Sequence, residues 1–201
     1  RLIRMPHFVL AVLASALATA MMFATLAGMP FVFIDSFSWD PVNFTILYAA
    51  SSLAFIVVCE VNQRLLAHFS DARLFMSGLA IQIVLTVGLV LCAMVPPSPA
   101  VPMASLWILL MANLGLTLGN ATSLSMRLAP KPLTGAASGL LGVAQFSVSA
   151  LASYFAVLGP RVEISMTVSS LTCALAAGFA AWGALRLRGY QNAKAVDAPP
   201  L

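Results

Sequence analysis

Apolar residues in this 201-residue chain run in long unbroken stretches, separated by short clusters of proline and charge. Six stretches stand out: Phe8 to Ile34, Pro41 to Cys59, Leu74 to Val95, Val101 to Met126, Leu133 to Leu158 and Ile164 to Leu185. Each approaches or exceeds the roughly 20 residues that a helix needs to cross about 30 Å of hydrocarbon. The strict alternation over segments of about ten residues that marks a membrane barrel is absent. The pattern predicts an all-α membrane protein, a bundle of six transmembrane helices over residues 1–188. The polar, proline-ended stretch 189–201 is expected to be a disordered cytoplasmic tail.

Polar side chains inside these stretches recur at helical spacing. Asn113, Thr117 and Asn120 share one face of the fourth segment, and Ser138, Gly142, Gln145 and Ser149 share one face of the fifth. An unpaired amide in hydrocarbon costs several kcal/mol, so such stripes turn toward other helices or toward a hydrated path. Ser15 and Thr19 on the first segment, and Tyr48 and Ser52 on the second, extend the set. Met21, Met22, Phe23 and Phe55 lie beside them as large adaptable apolar groups. Two readings stand open: interhelical hydrogen bonding, and the lining of a pathway for varied amphipathic molecules. Gly135, Gly139 and Gly142, with Ala136, Ala137 and Ser138, give the fifth segment a small-residue face suited to close helix packing. Gly28-Met29-Pro30-Phe31 is expected to kink the first segment near its end.

Composition agrees with the pattern. The chain is 61% hydrophobic and 8% charged, against about 25% charge in a soluble domain. Nine of the ten cations fall at alternate segment ends: Arg1 and Arg4, Arg64 and Arg73, Arg127 and Lys131, then Arg186, Arg188 and Lys194. Since Lys and Arg near crossings are retained on the cytoplasmic side, both termini are expected there, with Arg127 and Lys131 at the headgroups. Arg161 and the acidic loop from Asp35 to Asp40 lie at the opposite end. Trp39, Trp107 and Trp182 fall near segment ends and are expected at the headgroup level. No basic run with interleaved aromatics points to nucleic acid. The first segment is too long for a signal-peptide core. The chain opens on Arg1 rather than Met, which suggests a fragment of a longer protein.

Candidate chemistry is sparse. His7 and His68 sit at the cation-rich end without a nucleophile-elbow serine or a metal-ligand spacing nearby, and they read as interfacial histidines. Cys59, Cys92 and Cys173 share no ligand spacing and read as small buried hydrophobes. Glu60 and Arg64, at i and i+4, are a candidate ion pair or gating element. No catalytic residue, metal or cofactor is expected, and the chain reads as a transporter rather than an enzyme. The opposing class is a six-helix membrane enzyme or a non-transporting assembly subunit, in which the polar stripes are seams alone.

Several runs carry a resemblance. Ala27-Gly-Met-Pro30-Phe31-Val32 with Phe44, Asn62-Gln63-Arg64-Leu65 with Arg73-Leu74, and above all Gly119-Asn120-Ala-Thr-Ser-Leu-Ser-Met-Arg-Leu-Ala129-Pro130 followed by Thr134-Gly-Ala-Ala-Ser-Gly-Leu-Leu-Gly142 with Gln145 and Phe146 resemble a known family. It is the bacterial drug:proton antiporters of the bicyclomycin-resistance and chloramphenicol-efflux type, within the major facilitator superfamily. Gly119 stands where that family often has Pro, and Ala136 where it has Thr. The resemblance implies the C-terminal six-helix half of a twelve-helix transporter in the bacterial inner membrane. It implies proton-coupled multidrug efflux, and so antibiotic resistance, by alternating access. The lipid bilayer, a hydrophobic small-molecule substrate, protons and an N-terminal six-helix half are then the partners. The first and fourth segments would line the cavity, the second and fifth would flank it, and the third and sixth would face lipid. Gln82 in the third would bond within the bundle or lie near the interface. The proton-coupling acids belong to the N-terminal half on this view, so none is carried over. Thr19, Met22, Tyr48, Ser52, Asn113, Thr117, Asn120, Ser138 and Gln145 are the candidate cavity-lining residues.

Overall fold

The structure, a computed structural model, describes residues 2–196. Six helices follow one another: α1 Pro6–Pro30, α2 Pro41–Leu65, α3 Asp71–Met94, α4 Ala100–Leu128, α5 Thr134–Ala156 and α6 Val162–Val196. All six are long and apolar enough to cross a membrane. Their starts follow local chemistry. Pro6 and Pro41 open α1 and α2, where a missing N–H costs nothing. Asp40 caps α2 by accepting from the Val42 amide at 2.7 Å. Ser70 caps α3 through Arg73 N, at 3.4 Å. Pro130 follows the end of α4, and a 3-10 turn, Lys131–Leu133, leads into α5.

The bend expected at Pro30 takes the form of a wider coil. Proline cannot donate to the preceding turn, and from Phe31 to Ser36 the backbone winds as a π-helix, with Phe37 N donating to Val32 O at 3.0 Å. The helix also outruns its expected end at the other terminus. α6 continues through Val196, eight residues into the stretch 189–201 read as a tail. Gly189 alone costs a helix only about 1 kcal/mol, and no proline stands in the way before Pro199. Residues 197–201 of that tail lie outside the described residues.

Two helices form the interior. α1 packs against α4, α5 and α6, while α4 also packs against α2 and α3, and α3 meets α6 to close the bundle. Over their most apolar lengths, α1 and α4 are 56% and 61% buried, whereas α2 and α5 are only 11% and 22% buried. In water the exposed Val42, Ile46, Leu53 and Ile56 of α2, or Val143, Phe146 and Leu151 of α5, would be costly. Against lipid or a second bundle they cost nothing.

α2 approaches α4 backbone to backbone. A Cβ on Gly115 would lie 2.8 Å from Cys59 N and 2.9 Å from Phe55 O. Only glycine allows that approach. The small-residue face expected on α5 is split: Ala137 is wholly buried in the bundle, whereas a Cβ on Gly135, Gly139 or Gly142 would meet nothing within 4 Å. Among the described residues, no helix packs against those three glycines.

Candidate functional site

Where α1, α2 and α4 meet, they leave a half-open cavity of about 140 Å3. Its walls are Met22 and Leu26 from α1, Tyr48, Ser51, Ser52 and Phe55 from α2, and Trp107, Met111 and Leu114 from α4. The spacing explains the set. Residues 48, 51, 52 and 55 lie on one stripe of α2, and 107, 111 and 114 lie on one stripe of α4. Tyr48 and Ser52 are exposed and form the mouth, while Trp107 is wholly buried and forms part of the back.

The lining carries no charge. Ser51 and Ser52 donate to their own helix, to Leu47 O at 2.8 Å and Tyr48 O at 3.0 Å, which leaves their oxygens free to accept. Behind the cavity an aromatic cluster holds Trp107 in place: Phe44 stacks on it at a centroid distance of 6.3 Å and an interplanar angle of 15°, and Phe33 and Tyr48 lie at 6.4 and 6.1 Å. The buried Trp107 Nε1–H has no hydrogen-bond partner among the described residues. A buried donor left unpaired costs about 1–3 kcal/mol. The arrangement can hold one neutral, flat apolar group, with hydroxyls at its entrance and soft methionine walls.

Of the candidate residues, Met22, Tyr48 and Ser52 come together here. The amide stripe does not. Asn113 Nδ2 donates to Gly78 O of α3 at 2.9 Å, and Asn120 Nδ2 donates to Asn62 Oδ1 of α2 at 2.8 Å. Thr117 is wholly buried and bonds its own helix at Asn113 O, 3.5 Å, and Leu114 O, 3.4 Å. These three side chains lie buried in two seams, α3–α4 and α2–α4, and are not part of the cavity's lining. Gln145 Nε2 donates to Ser15 Oγ at 3.1 Å and so joins α5 to α1, whereas Thr19, buried in α1, donates to its own helix at Ser15 O, 2.9 Å. Ser138 is exposed on the open face of α5. The physical reason is common to all: a neutral amide in an apolar bundle is stabilised by the nearest backbone carbonyl or polar neighbour.

Other expectations are corrected in the same way. Glu60 and Arg64 do not pair. Both are exposed, and the ion pairs among the described residues are Arg127–Asp71 and Arg161–Glu163, each at 2.8 Å. Exposed charges at a helix end gain little from pairing when each can be hydrated instead. Arg127 has a partner that the sequence did not announce: it reaches Asp71, a largely buried acid that also accepts from Ser123 Oγ at 2.9 Å and from Ala72 N at 2.9 Å. That cluster ties the start of α3 to the end of α4. Trp107 is turned into the bundle and wholly buried, whereas Trp182 is half exposed. Gln82 is wholly buried, and neither end of its amide finds a partner among the described residues. Nothing in the packing explains it.

Sequence reasoning missed Asp71, Asn62 and the inward Trp107. Asp71 and Arg127 are 56 positions apart and Asn62 and Asn120 are 58 apart, so no local spacing announces either pair. Neither a curated protein nor a solved structure matches the chain. The Major Facilitator Superfamily model matches residues 1–153, which cover the first four helices and most of α5. With six membrane-crossing helices and that match over more than half its length, the chain belongs to the Major Facilitator Superfamily and is a multi-pass membrane transporter of that kind.

Proposed function

We propose that this bundle is the C-terminal half of a proton-coupled exporter of hydrophobic drugs or small metabolites. It works by alternating access against an N-terminal six-helix half, in a bacterial inner membrane with both ends of the bundle's chain on the cytoplasmic side. The cavity between α1, α2 and α4 carries this reading. Its volume of about 140 Å3 is close to the roughly 150 Å3 of an engineered apolar cavity that holds benzene, so one aromatic ring fits and the rest of a larger molecule projects past Tyr48 and Ser52. The absence of charge from its lining favours neutral, amphipathic cargo. The buried amides add nothing to the case.

Two further observations support a second half. α2 and α5 are the least covered helices, and the glycines of α5 present a face that a neighbouring helix could approach closely. The cavity lining carries no acid, and on this reading the proton-coupling acids belong to the other half. The test is efflux of a fluorescent hydrophobic dye from cells expressing the chain alone and joined to six upstream helices. Efflux is expected only from the joined form, and to fall when Met22 or Tyr48 is replaced by alanine. Efflux by the chain alone, as a monomer, would overturn the proposal.

A further inference from the structure

A second concavity lies on the outer surface, between α3 and α6. It is an apolar groove of about 350 Å3, walled by Met76 and Ile83 on α3 and by Leu175, Gly178, Phe179 and Trp182 on α6. Phe179 and Trp182 are 74% and 50% exposed, so nothing among the described residues covers them. The two helices run antiparallel: Ile83 Cδ1 lies 3.4 Å from the point where Gly178 would place a Cβ, and Met76 and Trp182 continue the groove toward the cation-rich end.

Two guanidinium groups stand at that end. Arg186 lies over the Trp182 ring, 4.0 Å from its centroid. Arg73 precedes Met76 by three residues, on the same stripe of α3 as Met76, Ala80 and Ile83. Both arginines are exposed, and neither takes part in the two ion pairs found among the described residues. A zwitterionic lipid would fill the groove and offer a phosphate, but its own cation offsets that charge and leaves the two guanidinium groups only partly neutralised. A free aqueous anion would answer the charge but leave the groove empty. One molecule of the surrounding bilayer does both.

We propose that the α3–α6 groove is a binding site for an anionic phospholipid, with its phosphate between Arg73 and Arg186 and one acyl chain laid against Phe179. The site is separate from the transport cavity and stands whether or not the chain exports drugs. Native mass spectrometry of the purified protein, titrated in detergent with phosphatidylglycerol or phosphatidylcholine of the same acyl chains, tests it. Phosphatidylglycerol should bind at one site, more tightly than phosphatidylcholine. Arg73→Gln and Arg186→Gln should each weaken it about five-fold and together roughly thirty-fold, the effect of one or two cations near an anionic lipid surface. Gly178→Leu should weaken binding with both charges in place, because the new side chain fills the groove. Equal affinity for the two lipids overturns the proposal. So does unchanged phosphatidylglycerol binding in the double arginine variant, whose exposed substitutions leave the helical circular dichroism intact. Displacement of the lipid by inorganic phosphate alone also overturns it, since that would mark a free-anion site.

Discussion

Two glycines on one turn of α4 should respond to the same substitution in opposite ways. A Cβ on Gly115 would lie 2.8 Å from Cys59 N and 2.9 Å from Phe55 O, while one on Gly119 would meet nothing within 4 Å. Alanine at either position gains helix propensity and restricts the unfolded chain, together about 1 kcal/mol. That gain is common to both and cancels in the comparison. At position 115 the added methyl strikes the backbone of α2, which no rotamer change can relieve, so α2 must move outward by several tenths of an ångström along its main seam. Overpacking of this kind costs about 1–3 kcal/mol. Gly119→Ala should therefore be neutral or slightly stabilising, and Gly115→Ala should be less stable than Gly119→Ala by about 1–3 kcal/mol. Denaturant-induced unfolding in a fixed detergent, followed by circular dichroism, measures the difference. Equal midpoints and slopes for the two variants would show that α2 does not sit against α4 in this way.

The Asp71–Arg127 pair should show coupling. In a double-mutant cycle of Asp71→Asn and Arg127→Gln, read by unfolding, about 1 kcal/mol is expected, held to that size because the arginine side chain is 57% exposed; additive effects would remove the clasp from the account. Asn62→Ala and Asn120→Ala should each lower stability, with a coupling of about 0.6–1.7 kcal/mol, and should leave the apparent affinity for exported dye unchanged, whereas Tyr48→Ala should weaken it several-fold. A larger transport defect at Asn120 than at Tyr48, at equal expression, would return the amides to the pathway. Gly139→Val should leave the unfolding midpoint of this chain within about 0.5 kcal/mol of wild type, since its Cβ has open space, yet abolish efflux by the joined transporter if a second bundle docks there.

The six crossings were legible because burial in a bilayer is a property of length and polarity alone, and both can be read from the chain. The polar stripes were legible as stripes. Their direction was not, because helical spacing says which residues share a face and not which neighbour that face meets at each height. Asn113 and Asn120 stand two turns apart, about 10 Å along the axis, and over that rise the neighbour changes from α3 to α2. Trp107 misled for a similar reason. Its position about 10 Å into α4 could be counted from the sequence, but not that its face meets Phe33, Phe44 and Tyr48 and is buried by them. Glu60 and Arg64 have the spacing of a pair but lie on a solvated helix end, where spacing permits contact without favouring it.

This arrangement also determines which wall of the cavity can move. Its α1 and α4 sides belong to the two most buried helices, and these pack against each other as well as against α5, α6 and α3. The α2 side is different: α2 packs chiefly against α4, through the Gly115 approach and the Asn62–Asn120 hydrogen bond. Displacing α1 or α4 would break several seams at once, whereas displacing α2 strains one. The side chains at the cavity mouth, Tyr48 and Ser52, ride on that helix. If the cavity takes cargo larger than about 140 Å3, as proposed above, α2 is the wall that moves, and the Gly115 approach and the Asn62–Asn120 bond set what that movement costs.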